Sequence, residues 1–115
     1  MKAIKILFLV TATVLFATGC NKTEASTTSI NVKSAVCETC VNNIETAVKN
    51  VDGVKSVSLD LETQFANVVF DKSKTNVPAI ESAIVMAGYS ANGYQPNKKA
   101  LDDLPQCCKI ANDEI

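Results

Sequence analysis

Cys37 and Cys40, written Cys37-Glu38-Thr39-Cys40, are the residues of this chain best placed to do chemistry. Two thiols three positions apart at a helix start can point the same way. Unpaired N–H groups and the positive helix end favour thiolate there. A pair of thiolates suits a soft cation that accepts few ligands, with Cu(I) as the first candidate. A structural Zn(II) site takes four ligands, more than the pair supplies. The same spacing also serves disulfide exchange, zinc ribbons and structural bridges, so context has to decide. The chain has no His. A transition-metal site must therefore use thiolate, carboxylate, thioether or backbone, and Cys–His catalysis is excluded.

The remaining cysteines are Cys20, Cys107 and Cys108. A bridge between the adjacent Cys107 and Cys108 would be a strained ring. They have the reach to add one or two thiolates to the Cys37/Cys40 ion. A strand of average length sets the gap at about 15–20 Å, and the 13 residues between Tyr94 and Cys108 span it even if half are helical. A site of three or four sulfurs extends the candidate ions to Zn(II), Cd(II) and Hg(II). Two other readings stay open: a tail with no role, and disulfides from Cys107 and Cys108 to Cys37 and Cys40.

Compartment bears on that choice. Lys2 and Lys5 precede the apolar run Ile6-Leu7-Phe8-Leu9-Val10, which continues through Val14, Leu15 and Phe16 and ends in Ala17-Thr18-Gly19-Cys20. A basic start and a short apolar core mark a secretory signal, and the run is too short and interrupted to span a bilayer comfortably. Small residues before a cysteine resemble a bacterial lipobox, although Ala17 stands where Leu is usual. Residues 1–19 are therefore expected to be a lipoprotein signal peptide and Cys20 the lipidated N-terminus. The alternative is an ordinary cleaved signal with Cys20 uninvolved. Residues 20–28 read as the lipidated cysteine and a flexible tether, polar and without apolar period. Acyl chains would hold the protein in the cell envelope, facing the periplasm or the exterior. The net charge of −1 and the lack of a basic stripe argue against a nucleic-acid partner.

The elements that must position these cysteines follow from hydrophobic period. Ile30 and Val32 alternate with polar neighbours in a strand over 29–34. Val41, Ile44, Ala47, Val48 and Val51 fall on one helix face, ended by Asp52-Gly53. Val57, Leu59 and Leu61, then Ala66, Val68 and Phe70, give two strands joined by a turn at Glu62-Thr63-Gln64. A second helix carries Val77, Ile80, Ala83, Ile84 and Ala87, with Pro78 in its first turn and Gly88 at its end. Residues 89–92 read as a last short strand, and 97–104 as a short helix or turn. The order β-α-β-β-α-β predicts an α+β, ferredoxin-like sandwich: an antiparallel sheet with two helices on one face. The domain is expected over 29–94, with a cysteine-bearing tail over 95–115.

The run from Ile30 through Cys37 and Cys40, then Ile44, Val48, Gly53, Val57-Ser58-Leu59, Val68-Val69-Phe70-Asp71 and Gly88-Tyr89, resembles the heavy-metal-associated domain. That family includes copper chaperones, domains of metal-exporting P-type ATPases and a periplasmic mercury-binding protein. The resemblance implies that Cys37 and Cys40 bind Cu(I) or another thiophilic ion. It also implies that Tyr89 lies near the metal loop, the other reading being a core aromatic. Ser34 and Ala35 stand where the family usually has Gly-Met, which leaves a smaller core contact under the loop. The expected function is membrane-anchored, extracytoplasmic binding or transfer of a soft metal ion. A metal-transporting ATPase or another metal-transfer protein is the partner, and the protein is not an enzyme. Two alternatives remain: a thiol–disulfide oxidoreductase with Cys37 as nucleophile and Cys40 as resolving thiol, and a structural envelope module with bridged cysteines. The hairpin between the two βα units argues against the thioredoxin fold that the first would need.

Overall fold

The computed structural model of the chain describes residues 25–113. The expected signal peptide, Cys20 and the start of the tether lie outside the described residues. Strands β1 (Ala25–Asn31), β2 (Val54–Asp60) and β3 (Phe65–Asp71) form an antiparallel sheet in the order β1-β3-β2. Helices α1 (Glu38–Lys49) and α2 (Val77–Met86) pack on one face of it. Two further short helices, α3 (Lys98–Asp102) and α4 (Gln106–Asp113), make up the tail.

The core is what the alternation requires. Ile30, Val57, Leu59, Ala66, Val68 and Phe70 point from the sheet onto Val41, Ile44 and Val48 of α1 and Ile80 and Ile84 of α2. On each strand the intervening residues face outward, as a period of two dictates. The start of α2 is fixed by Asn76, whose side-chain oxygen accepts from the Ala79 N–H at 2.9 Å. That bond satisfies one of the orphan donors of a helix start. Along the free edge of β2, the Leu59 N–H donates to Glu45 Oε1 of α1 at 3.1 Å.

The first and last strands differ from expectation. β1 begins at Ala25, and residues 25–28, read from sequence as tether, pair with residues 68–71 of β3. The segment is polar on both faces, with only Ile30 buried, so no apolar alternation marks it. The last strand is reduced to a single rung. The Asn92 N–H donates to the Asn31 carbonyl at 2.8 Å, and Asn92 Oδ1 accepts from the Asn31 N–H at 2.9 Å. Asn92 and Gly93 both have positive φ, 48° and 88°. Ala91 and Tyr94 close the turn through paired backbone hydrogen bonds. An Asn-Gly pair in this conformation is a tight hairpin turn, and it ends the strand as soon as it starts.

That turn sends the chain back over the helices. The Asn97 N–H donates to the Val85 carbonyl at 2.9 Å, and Asn97 Oδ1 caps α3 through the Ala100 N–H at 3.0 Å. Leu104 packs on the core. Gly88, at φ +99°, is where α3 comes closest: a Cβ there would stand 2.9 Å from Leu101 N and 3.0 Å from Leu104 Cδ1.

Gly88→Ala combines left-handed strain with a collision at α3, so unfolding should become easier by about 1–3 kcal/mol, read from urea midpoints. A Gly88→Ala chain as stable as the parent would show that α3 does not press on this turn. Asp71 accepts from Ser73 Oγ at 2.6 Å and from the Ser73 N–H at 2.9 Å. These bonds, helped by Lys74 and Lys55, hold its carboxyl below the ordinary carboxylate value. Its stabilising effect is complete above an ordinary carboxylate pKa of about 4 and disappears as pH falls through the lowered one. The gap in urea midpoint between the parent chain and Asp71→Asn should therefore be wide at pH 6 and close towards pH 3. A gap of constant width would show that the Asp71 charge contributes nothing.

Candidate metal centre

Cys37 takes the N-cap position of α1 with extended backbone (φ −146°, ψ 165°), and its side chain makes no capping bond. Its sulfur is thus left to face the first turn, where Cys40 follows on the buried side of the helix. The loop that delivers Cys37 is tied at several points. Gln64, in a left-handed conformation at φ 60° in the β2–β3 turn, sends its side-chain amide to the carbonyls of Lys33 and Ala35 at 2.9 and 3.1 Å. The Val32 N–H donates to the Gln64 carbonyl at 2.8 Å. Ser34 is fully buried, and its Oγ accepts from the Ser90 N–H at 3.0 Å. Ala35 is also fully buried in the core. Where the family usually has Gly-Met, the loop is thus held by a buried hydroxyl and a small apolar contact.

The tail brings the other two cysteines to the same place. α4 lies against α1, and the Sγ atoms of Cys37, Cys40, Cys107 and Cys108 all lie within 4.8 Å of one another. Cys40 and Cys108 are joined as a disulfide with their Cα atoms 5.9 Å apart, an ordinary separation for such a bond. Cys37 and Cys107 are free thiols, with their sulfurs 2.8 Å apart. Cys37 Sγ is 3.1 Å from Cys40 Sγ and 3.8 Å from Cys108 Sγ, and the two tail sulfurs are 3.9 Å apart. The centre is layered: Cys40 and Cys108 are fully buried, Cys37 is half-buried and Cys107 faces solvent.

The free pair shares a proton unequally. Burial pushes the Cys37 thiol up, but the Cys107 thiol and the nearby backbone N–H groups and hydroxyl of the first turn outweigh it, so its pKa falls below the ordinary thiol value. Cys107 moves the opposite way. Its pKa is raised, first because it donates to Cys37 and then through burial and the charge that Cys37 carries when ionised. Cys37 is therefore the sulfur most ready to act as thiolate.

Tyr89 is fully buried behind this group. Its hydroxyl donates to Cys108 Sγ at 3.4 Å and accepts from Asn43 Nδ2 at 3.0 Å. Burial above all raises its pKa, against the Asn43 hydrogen bond that lowers it, so the phenol stays a donor. Tyr89 thus lies beside the loop and also belongs to the core. Sequence reasoning singled out neither Gln64 nor Asn43. Asn43 stands three positions after Cys40 on α1, a spacing that puts both on one helix face and was a usable signal. For Gln64 there was none, since nothing in a Glu-Thr-Gln turn announces where its amide will reach.

The donor set fits a thiophilic ion. Tetrahedral coordination at a metal–sulfur distance of about 2.3 Å spaces the sulfurs about 3.8 Å apart, as Cys37–Cys108 and Cys107–Cys108 already are. Cys37 is closer than that to Cys40 and to Cys107, at 3.1 and 2.8 Å. Opening the Cys40–Cys108 bond would supply the third and fourth thiolates. Among the described residues no helix is long and apolar enough to cross a membrane.

Known proteins share this arrangement of loop and helix. The mercuric transport protein periplasmic component of Shewanella putrefaciens is 34% identical over 89 residues, covering 77% of this chain and 93% of its own length. The copper chaperone CopZ of Bacillus subtilis is 38% identical over 61 residues, 53% of this chain and 88% of that protein. The crystal structure of oxidised MerP from Ralstonia metallidurans superposes with a TM-score of 0.57 at 33% identity, covering 58% of this chain and 93% of that one. Residues 29–90, more than half of the chain, match the model of the heavy-metal-associated domain, and the chain belongs to that family.

Proposed function

We propose that this protein binds a soft metal ion through Cys37, Cys40, Cys107 and Cys108 and passes it on by thiolate exchange. The observation that carries the reading is the convergence of the loop and tail sulfurs within 4.8 Å. Cu(I) is the first candidate, and a set of four thiolates also accommodates Hg(II), Cd(II) and Zn(II). Relatives named for mercury transport and for copper chaperoning or export support an ion of this class. The partner is a metal-transporting ATPase or another protein with a thiol pair, because transfer between sulfur sites proceeds by stepwise exchange of equivalent ligands.

The place of action is outside the cytoplasm, at a membrane, with acylated Cys20 as the anchor. The support is the sequence pattern of residues 1–20 and the periplasmic assignment of relatives such as that of Shewanella putrefaciens. A CxxC oxidoreductase closes its bridge between its own two cysteines. Here Cys40 is bridged to Cys108, 68 positions away, which favours a binding protein over that enzyme class.

Metal analysis of the fully reduced protein by mass spectrometry is the direct test. The parent chain should hold one soft ion, and Cys37→Ser should abolish binding. Cys107→Ser/Cys108→Ser should still take up Cu(I) while losing more than about a hundredfold in Cd(II) affinity, given the large share of binding energy each ligand carries in a four-sulfur site. An unchanged Cd(II) affinity would remove the tail from the site, and a reduced chain that takes up no soft ion would end the whole reading. For the anchor, the parent chain expressed in bacteria should sediment with membranes and carry an acyl mass increment, and Cys20→Ser should be found in the soluble fraction without it. Equal fractionation of the two would reject lipidation.

A further inference from the structure

The disulfide in this centre joins one loop sulfur to one tail sulfur and leaves one of each free. It also divides the centre by depth. Cys40 and Cys108 are the buried pair, backed by the Tyr89 hydroxyl, whereas Cys37 and Cys107 are the outer pair. Had the bond closed Cys37 onto Cys40, only the sequence-adjacent Cys107 and Cys108 would remain. As it is, the free sulfurs come from opposite sides of the site and already face each other at 2.8 Å.

We infer that the Cys40–Cys108 bond sets the coordination number of the site and thereby selects the ion. This rests on the metal-binding reading above. In the bridged form the outer pair is a two-sulfur clamp for an ion content with two ligands, Hg(II) or Cu(I). Such an ion needs its two sulfurs about 4.6 Å apart, twice a metal–sulfur bond of about 2.3 Å. Cys107 is exposed and can swing outward to make that room, while Cys37 is held by the strapped loop. In the reduced form the inner pair joins, and the four thiolates become competent for tetrahedral ions, Cd(II) and Zn(II).

The interconversion is an ordinary exchange. With Cys107 swung outward, a dithiol reaches the buried Cys40–Cys108 bond, attacks it and ends as its own disulfide. Two electrons and two protons pass to Cys40 and Cys108, which become thiols. A disulfide donor runs the reaction backwards. A protein outside the cytoplasm meets both kinds of reagent, so one fold would offer two ion preferences according to its redox surroundings.

The experiment uses the full chain carrying Cys20→Ser, so that the fifth thiol is not counted. The bridged form is isolated, and peptide mapping confirms Cys40–Cys108 with two free thiols remaining. Hg(II) and Cd(II) are then titrated into bridged and reduced protein. Bridged protein should bind one Hg(II), lose both free thiols in doing so, and bind Cd(II) more than about a hundredfold more weakly than reduced protein does. Cys40→Ala/Cys108→Ala should match the bridged form for both ions. The inference is overturned if bridged protein ignores Hg(II), or if its Cd(II) affinity lies within about tenfold of the reduced value. It is equally overturned if oxidation passes to two disulfides without a stage holding two free thiols. Should the reduced chain bind neither ion, the metal-binding reading itself falls, a result distinct from all of these.

Discussion

Sulfur atoms from positions 37, 40, 107 and 108 meet within 4.8 Å only if both segments carrying them are held from behind, and that constraint organises the molecule. On the loop side the restraint is Gln64 reaching back to two carbonyls, with the Ser34–Ser90 contact beneath. On the tail side it is the Asn92-Gly93 turn, the Asn97–Val85 bond and the close approach of α3 to Gly88. Neither set supplies a cysteine, yet both fix where the cysteine sulfurs can be. The Cys40–Cys108 bond then closes a loop of 68 positions, which on chain-entropy grounds disfavours the unfolded state by about 4 kcal/mol. A domain this small gains little margin from burial alone, so a cross-link of that size is a large part of what keeps the tail in place.

The sandwich itself could be read from the sequence because its signals are local. Val57, Leu59, Ala66, Val68 and Phe70 alternate cleanly, and Ile44 and Val48, like Ile80 and Ile84, recur at helical spacing. Residues 25–28 could not be recognised, because a strand polar on both faces is held by backbone pairing to β3 rather than by burial of its own side chains. The last strand was over-read for the opposite reason. Tyr89 and Ala91 are buried and alternate as a strand should, but the Asn92-Gly93 turn ends the run, and turn chemistry outranked the apolar pattern. At the site, the spacing of Cys37 and Cys40 pointed to the loop, and chain length allowed the tail to reach it. Which tail sulfur would pair with which loop sulfur was beyond the sequence, since connectivity among four cysteines is set by the docking of α4 on α1.

Electrostatics at the centre follow from the same placement. At the N-cap of α1, the Cys107 thiol and the nearby backbone and Thr39 groups make Cys37 the more acidic sulfur of the free pair. Cys107, as the donor, is the less acidic one. A cation of the proposed kind would meet the more acidic sulfur at half depth and the less acidic one at the surface, and its capture would release a proton where solvent can take it away.

Cys40 and Cys108 are fully buried members of the hydrophobic core. The ligand role proposed for them would tie metal binding to folding. In the bridged form the covalent bond fastens α4 to α1. Once the bond is reduced, an ion held by both segments would take over the fastening, because every ligand it gathered from the tail would oppose release of the tail. On that reading the cross-link and the ion are alternative clasps for one interface. A chain deprived of both must rely on Leu104 and the α3 contacts to hold α4 in place. With the cysteines at positions 107 and 108 as ligands, occupancy of the proposed site and docking of the tail would rise and fall together.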